Sequence, residues 1–498
     1  MSYENRQVRW WLVVAMALTV AFSFQGCRAL YESSEGRYAE CGREMLESGN
    51  WLIPTLDSTP HWTKPPMTYW AIASGMAALG KNEWGARLYL AIAFFLTALA
   101  VTALARKMWD GKTATVAGIV YSTSLFPALA SNMVTTDALL TLWEVAAATC
   151  YWYAYSSGRG AKGRRWMTLM WTFFGLAFLT KGPPGLIVLL AIIPFQIIRS
   201  KKGDESPSLL NPPGLVIFAI LGFGWYLAVN HLYPGLISSL TSDEVVKRVA
   251  TDKFHRNSEW YKPFVIYLPL ILFGCLPWAA YWPGTYKKGI AGKSPGDVLS
   301  KIRSSPALLF LVMWAVVPLV VFSAVKSRLA LYILPLMAPV AAATARAVVL
   351  SLEKGSSRKK FAYAGVAAMA FIIGLKAFAS IYPDGISNMR ELHIAVTEAA
   401  GGENYEVSLY KEKLLWGLQF YEGRHVDRIS VKGRYWKYKN LKQKVSEIQS
   451  DTGVRHLFVV RPGKKDKLAG KLTKFGITYR EVPTRTGWRI LAVDSGGA

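Results

Sequence analysis

Cysteine is scarce in this chain: four residues in 498, with no Cys-x-x-Cys pair and no His/Cys grouping. That excludes a disulfide-built scaffold and the common zinc patterns. Charge is scarce as well. Asp, Glu, Lys and Arg make up 18% of the residues, hydrophobic residues 52%, and mean hydropathy is positive. A soluble chain of this length rarely combines these properties. Acids are the rarer charge, 32 against 58 Lys and Arg, for a net charge of +26. No internal repeat is evident, which argues against transporters built from inverted repeats. No small-x-small cleavage site follows the first apolar run, residues 10–26. That run is therefore expected to stay as a span rather than leave as a signal peptide.

What is present is a series of apolar blocks. The run at 10–26 holds no charge and is long enough to cross most of a hydrocarbon core about 30 Å thick. Further runs lie at 86–105, 113–130, 137–155, 166–180, 184–198, 214–231, 263–283, 306–325, 329–350 and 361–381, which makes eleven candidate spans. In hydrocarbon a backbone must satisfy its own hydrogen bonds, so these blocks read as helices. Basic clusters at Arg6/Arg9, Arg106–Lys112, Arg159–Arg165, Arg199–Lys202, Lys287–Lys293 with Lys301/Arg303, and Lys354–Lys360 all fall on the cytoplasmic side if the N-terminus is inside. This obeys the positive-inside rule. The basicity is then mostly a topology signal, and nucleic acid is not an expected partner. The same topology puts 27–66, 231–262 and 382–498 outside. Cys150 and Cys275 lie in spans as inert core residues. Cys27 and Cys41 fall in or beside the first external segment, where a disulfide is one option.

Two parts emerge. Residues 1–382 form a mainly α, polytopic transmembrane helical bundle. Residues 383–498 read as a small external α/β soluble domain, with 21 Lys and Arg against 13 Asp and Glu. Its β-rich runs are Glu406–Tyr410, His456–Val460 and Arg489–Val493, separated by helix-like stretches near 387–400, 438–450 and 463–474. The first external loop, 27–66, is long, polar and aromatic. Residues 67–80 are apolar but too short to cross, and read as an interfacial segment with Tyr69 and Trp70 at headgroup depth.

The loop begins with Glu32, Glu35, Arg37, Tyr38, Glu40, Arg43 and Glu44. Helical spacing of Glu40 with Arg43 and Glu44 explains part of the cluster as an amphipathic helix. It does not explain acids directly at the membrane boundary, where desolvation raises a carboxylate's pKa and suits it to general-base work. Lys64 is held by Pro65 and Pro66 at the entrance to the interfacial segment, where a cation suits a phosphate. Asp137 opens the fourth span, as a helix cap or a functional acid. Lys181 sits in the turn Thr180-Lys181-Gly182-Pro183-Pro184-Gly185. Lys326, Arg328 and Tyr332 occupy a later outer turn, and His255 lies beside Arg256 in the loop 231–262. Each residue alone has an ordinary structural explanation. Their shared placement on the external face predicts a cationic, aromatic-edged cavity with one or two carboxylates, fitted to a lipid phosphate.

Ordered motifs carry a resemblance. Glu35-Gly36-Arg37-Tyr38-Ala39-Glu40, Arg43-Glu44-Met45-Leu46, Ser48-Gly49-Asn50-Trp51-Leu52-Ile53-Pro54, Lys64-Pro65-Pro66 with Tyr69-Trp70, and Glu83-Trp84-Gly85-Ala86-Arg87-Leu88 resemble the first loop of the aminoarabinose lipid A transferases. These belong to the GT-C class, together with the dolichyl-phosphate-mannose protein mannosyltransferases. Leu179-Thr180-Lys181-Gly182-Pro183, Tyr267-Leu268-Pro269 through Leu276-Pro277-Trp278, and Phe322-Ser323 through Lys326-Ser327-Arg328 with Tyr332-Ile333-Leu334-Pro335 look like the later motifs. The similarity runs over about residues 10–350 and fades in the soluble part.

The resemblance implies an inverting glycosyltransferase that takes its sugar from an undecaprenyl- or dolichyl-phosphate carrier. The acceptor would be lipid A, another surface glycan or a protein. A loop carboxylate would act as base or orient the acceptor, and basic residues would hold the carrier phosphate. Glu35, Asp137 and Glu32 are the catalytic candidates. Arg37, Tyr38, Lys64, Lys181, His255, Lys326, Arg328 and Tyr332 are the substrate-binding candidates. Two departures stand out. Ser34 occupies the place of the family's Asp before Glu35, and Thr63 replaces an acid before Lys64-Pro65-Pro66. A divalent cation is compatible with such a site, though none is required by the sequence. The expected location is the plasma (inner) membrane, with the C-terminal domain external (periplasmic). Two rival readings share the cavity: a flippase or transporter for a lipid-linked sugar, and a catalytically inactive binder, which Ser34 invites.

Overall fold

The computed structural model describes residues 7–236, 257–284, 293–382, 385–402, 404–430, 439–451 and 453–493. The first part is helical: α1 (Trp10–Phe22), α2 (Ser34–Ser48), α3 (Met67–Leu79), α4 (Glu83–Met108), α5 (Gly111–Ser122), α6 (Leu125–Ala130), α7 (Asp137–Tyr155), α8 (Ala161–Lys181), α9 (Leu189–Ser200), α10 (Pro212–Leu232), α11 (Lys262–Gly274), α12 (Pro295–Ser304), α13 (Pro306–Ala324), α14 (Met337–Glu353) and α15 (Arg358–Ile381). A two-residue antiparallel hairpin, β1 (Thr55–Leu56) with β2 (Thr59–Pro60), interrupts the first loop. Local chemistry sets several boundaries. The side chains of Asn82, Asp110 and Asn211 accept from backbone N–H groups in the first turns of α4, α5 and α10.

Among the described residues, six helices are long and apolar enough to cross a membrane, or seven if one bent pair forms a single span. The eleven apolar blocks therefore do not map onto eleven long helices. The block at 113–130 divides into α5 and α6 at Thr123 and Ser124. The block at 263–283 turns by 86° after α11. There Pro277 lacks an N–H and restricts Leu276, which ends the helix. The first apolar run forms a helix of only 13 residues.

In the bundle α4 packs against α1, α3, α5 and α7, α7 against α8, and α8 against α10. The core is aromatic where α7, α9 and α13 meet: Tyr151, Phe195 and Phe310 lie with ring centroids 5.2–6.0 Å apart. The remaining chain adds α16 (Met389–Ala400), β3 (Tyr405–Tyr410), α17 (Trp416–Glu422), β4 (Asp427–Ile429), α18 (Leu441–Ser450), β5 (Arg455–Val460), α19 (Pro462–Lys474), β6 (Arg480–Pro483) and β7 (Arg489–Val493). These strands form one five-stranded sheet in the order β4-β3-β5-β7-β6. β3 is parallel to β4 and β5, with Val407 opposite Leu457, and β7 runs antiparallel to both of its neighbours.

This sheet region is docked on the first loop. A Cβ on Gly36 of α2 would stand 2.3 Å from the Gly417 backbone N, so the two segments meet this closely because position 36 is glycine. Tyr421 donates to Glu83 at 2.8 Å and accepts from the Leu30 N–H at 2.9 Å, while Arg390 pairs with Glu83 at 3.0 Å. All four cysteines are free, so the disulfide option for Cys27 and Cys41 is not taken. Cys41 is buried in α2.

Candidate active site

The face of the bundle that carries residues 27–66 holds three groups of polar side chains. The first surrounds Glu35, in the opening turn of α2. Its carboxylate accepts from Arg28 at 2.8 Å, from the Tyr31 N–H at 3.0 Å, from the Val134 N–H at 2.8 Å and from Arg87 at 3.4 Å. Arg87 also reaches the Arg28 and Ala29 carbonyls, so one acid ties the loop to α4 and to the segment before α7. Burial pushes the Glu35 carboxyl up, but the Arg87 and Arg28 guanidinium groups and the Val134 N–H outweigh it and hold the group below the usual range. The expected general base is thus an internal counter-ion with its lone pairs engaged, and the geometry argues against its base role. Glu40 and Glu44 are also spent on structure. Glu40 takes a two-point contact from Arg43, both at 2.7 Å, and Glu44 accepts from the Asp57 and Ser58 N–H groups of the hairpin.

Glu32 differs. One carboxylate oxygen accepts from the Gly417 N–H at 2.8 Å, while the other is buried without a hydrogen-bond partner. Burial pushes the group up to about 7, against the opposing Gly417 and Trp416 N–H groups and the Arg37 charge.

The second group centres on His61, which the sequence reading did not single out. Arg37 and Lys64 both lie within electrostatic reach of its ring, and burial together with these cations lowers it to about 4. It is therefore neutral near pH 7, with Nε2 2.6 Å from the Thr63 hydroxyl. Tyr38 and Tyr69 wall this group with ring centroids 5.9 Å apart. Thr63, in the position of the family's acid, thus serves as a hydrogen-bond partner for His61.

The third group is at the helix ends. Lys181, the last residue of α8, pairs with Asp137, the first residue of α7, at 2.5 Å. Gly182, with φ of +72° and ψ of −142°, ends α8 in a positive-φ conformation open to glycine, which directs the chain away there. The Lys181 ammonium also lies 4.6 Å from the Tyr332 ring centroid. Tyr38 lies within its electrostatic reach, which joins this group to the second. Glu144, two turns along α7, is fully buried and has no hydrogen-bond partner at either oxygen. Tyr267 and Ser327 likewise have buried hydroxyls without a partner, and Tyr267 lies within electrostatic reach of Tyr332.

Arg37, Tyr38, Lys64, Asp137, Lys181 and Tyr332 are thus connected. Arg328 is not available in the way its charge suggested. Its guanidinium donates to the carbonyls of Ser323, Asn257 and Glu259 at 2.7–3.2 Å, fastening the segment before α11 to the end of α13. Lys326 is exposed on that same turn. His255 lies outside the described residues. Among the described residues, one group of three carboxylates has metal-like spacing: Glu406, Asp427 and Glu447, in the sheet region. The Lys444 ammonium sits among them at 2.5, 2.9 and 3.4 Å, so it is an ion network with its cation built in.

Fold and site together define a polytopic membrane protein with the architecture of the GT-C glycosyltransferases. The particular likeness is to the aminoarabinose lipid A transferases. Residues 63–226 match the family described as dolichyl-phosphate-mannose-protein mannosyltransferase. The chain is 31% identical over 365 residues to an undecaprenyl phosphate-alpha-4-amino-4-deoxy-L-arabinose arabinosyl transferase of Erwinia tasmaniensis, covering 71% of this chain and 63% of the relative. Against the corresponding Enterobacter protein it is 31% identical over 322 residues, covering 64% of this chain and 55% of the relative. The matched stretches thus span less than two thirds of these relatives' length. Among solved structures, ArnT from Cupriavidus metallidurans bound to undecaprenyl phosphate superposes with a TM-score of 0.77 at 20% identity, covering 98% of each chain. An Archaeoglobus fulgidus oligosaccharyltransferase shares the fold more distantly, with a TM-score of 0.51 over 92% of this chain and 70% of that one.

Proposed function

We propose that this chain is a membrane glycosyltransferase that moves a sugar from a polyprenyl-phosphate carrier to a lipid A, surface-glycan or protein acceptor. The reaction takes place at the external face of the plasma membrane. In this reading the apolar blocks make eleven passes, some of them through broken helices, and residues 383–498 stand outside over the loop. Sequence likeness to transferases that use an undecaprenyl-phosphate sugar supports the donor class. The observation that carries the reading is the buried Lys181–Asp137 pair beneath Tyr332, with the Arg37–Lys64 group alongside.

In the transfer, an acceptor hydroxyl attacks the anomeric carbon from the side opposite the carrier. The new C–O bond forms as the bond to the carrier phosphate breaks, which inverts the centre. The proton passes to a carboxylate and the bonding pair leaves on the phosphate. Asp137 is the carboxylate we assign to accept or orient that proton. Lys181, Lys64 and Arg37 supply the positive charge that the leaving phosphate gains from in the transition state. Glu32 is the second candidate base, because its value of about 7 lies where proton exchange is easiest. Glu35 holds the loop in place. Mass spectrometry of glycolipids and surface glycans from cells with and without the protein tests the activity. A species heavier by one sugar residue should disappear on deletion and return with the wild type but not with Asp137→Asn. Identical profiles in all four strains would overturn the reading.

A further inference from the structure

The end of the bundle remote from the Lys181–Asp137 pair carries a cavity that the transfer reaction does not use. Its volume is about 470 Å³, and Arg159, Arg164, Ser208, Leu210 and Asn211 are among its lining residues. That is inside the range of small-molecule sites, about 300–1,000 Å³. Arg164 and Lys181 lie at opposite ends of α8, separated by about 26 Å of helix. In the topology proposed above α8 crosses the membrane, which puts the cavity and the candidate active site near opposite surfaces of the bilayer.

The walls are built from the α7–α8 turn, the end of α9 and the start of α10. Asn211 fixes the corner. Its Oδ1 accepts from the Gly214 N–H at 2.8 Å and the Thr168 hydroxyl at 3.0 Å, and its Nδ2 donates to the Arg164 carbonyl at 3.4 Å. No Asp or Glu lines the cavity. Two acids precede the lining residue Ser206: Asp204 is taken by Arg199 at 2.7 and 3.0 Å and by the Tyr155 hydroxyl, and Glu205 is exposed and forms no ion pair with Arg159 or Arg164. Arg164 donates to the Arg159 carbonyl at 3.3 Å, and among the described residues no carboxylate pairs with either guanidinium. Two arginines without a counter-ion thus share a concave wall, and Leu210 at its rim is 76% exposed. A cationic wall with an apolar lip, at a helix end that the proposed topology sets at the membrane surface, matches one ligand chemistry: a phosphate carried on a hydrocarbon chain.

We propose that this cavity binds the phosphate of an anionic membrane phospholipid, at the membrane surface opposite the transferase site. The test uses the full-length protein purified in a non-ionic detergent, with native mass spectrometry after titration with phosphatidylglycerol, phosphatidylcholine or inorganic phosphate. Retention of phosphatidylglycerol over phosphatidylcholine is expected. The Arg159→Gln/Arg164→Gln double variant should lower that retention by about 30-fold, the loss of two cations at a membrane surface. Lys112→Gln, in a basic cluster elsewhere, should leave it unchanged. Equal retention by the double variant and the wild type, or an equal loss in Lys112→Gln, overturns the site. Displacement of the lipid by millimolar inorganic phosphate would make free phosphate the ligand and overturn the lipid assignment. If the double variant fails to fold, Ser208→Asp, which sets a carboxylate in the same wall on an exposed residue, decides by the same readout.

Discussion

The loop around Glu35 and the helix ends around Asp137 both bury a carboxylate on the same face of the molecule, yet they are built to opposite ends. Glu35 accepts from two arginines and two backbone N–H groups, and those arginines reach on to loop carbonyls. Asp137 is held by one lysine, whose ammonium also faces a phenol ring. Removing the first acid leaves two buried guanidiniums without compensation. Removing the second leaves one buried ammonium, which still faces the Tyr332 ring. Burial by itself therefore does not make a general base. What matters is how many of the carboxylate's lone pairs and neighbouring charges are already committed.

That contrast can be broken most directly at Asp137. Asp137→Asn is expected to reduce turnover by about 10²–10⁴-fold, the range for losing a general base, and to lower thermal stability less than a change at Glu35, because it leaves one buried cation unpaired rather than two. Transfer from a polyprenyl-phosphate sugar in proteoliposomes measures it. Full turnover would move the base to Glu32. Glu35→Gln should act on the other axis and destabilise by roughly 3–5 kcal/mol, as when one partner of a buried ion pair is removed. Thermal unfolding in detergent measures that loss. A stable Glu35→Gln protein with lost turnover would erase the distinction and return Glu35 to the base role.

The same contrast explains what the sequence made legible. Apolar blocks were readable because hydrocarbon allows few backbone solutions, and the three main strands of the sheet region stood out as short β-rich runs. Breaks inside blocks were harder to see. The division at Thr123 and Ser124 and the 86° turn after α11 both depend on how neighbours pack. At the site, the start of a span pointed to Asp137 and the later motifs to Lys181 and Tyr332, and the fold brings these three side chains together. Glu35's ligands come from Arg28, Arg87 and Val134, and only the fold brings residues that distant to one carboxylate. Arg328 misled for a related reason. A cation near a membrane surface is as useful to unsatisfied carbonyls as to a phosphate, and composition does not separate the two. His61 was missed because a single histidine in a loop carries no spacing signal.

A smaller effect is expected where the loop meets the sheet region. Gly36→Ala would place a methyl group 2.3 Å from the Gly417 backbone N. Backbone cannot swing aside as a side chain does, so α2 and α17 must separate. The expected cost is about 1–3 kcal/mol, typical of overpacking. Proteolysis should then release the sheet region earlier than in the wild type. If release is unchanged, the contact at Gly36 does not hold the two parts together, and Tyr421 and Arg390 on Glu83 carry the docking instead.

Glu32 falls between the two acids and gives the finest test. The Gly417 and Trp416 N–H groups favour its charged form, one of its oxygens is buried without a partner, and its folded value is about 7, against an ordinary value of 4.5. A carboxylic acid whose value rises on folding binds more protons in the native state. Its contribution to stability is therefore fully present below about pH 4.5 and is lost as pH rises through about 7. The charged form is the one that burial penalises, so wild-type unfolding temperature should decline across that window. Glu32→Gln keeps the acceptor oxygen for Gly417 and removes the titration. Its unfolding temperature should decline less over the same window, and the gap in its favour should widen from pH 5 to pH 8. Parallel curves for the two proteins would show that Glu32 ionises like an exposed acid. The neutral-pH proton exchange that makes it the second candidate base would then be gone, leaving Asp137 without a rival on this face.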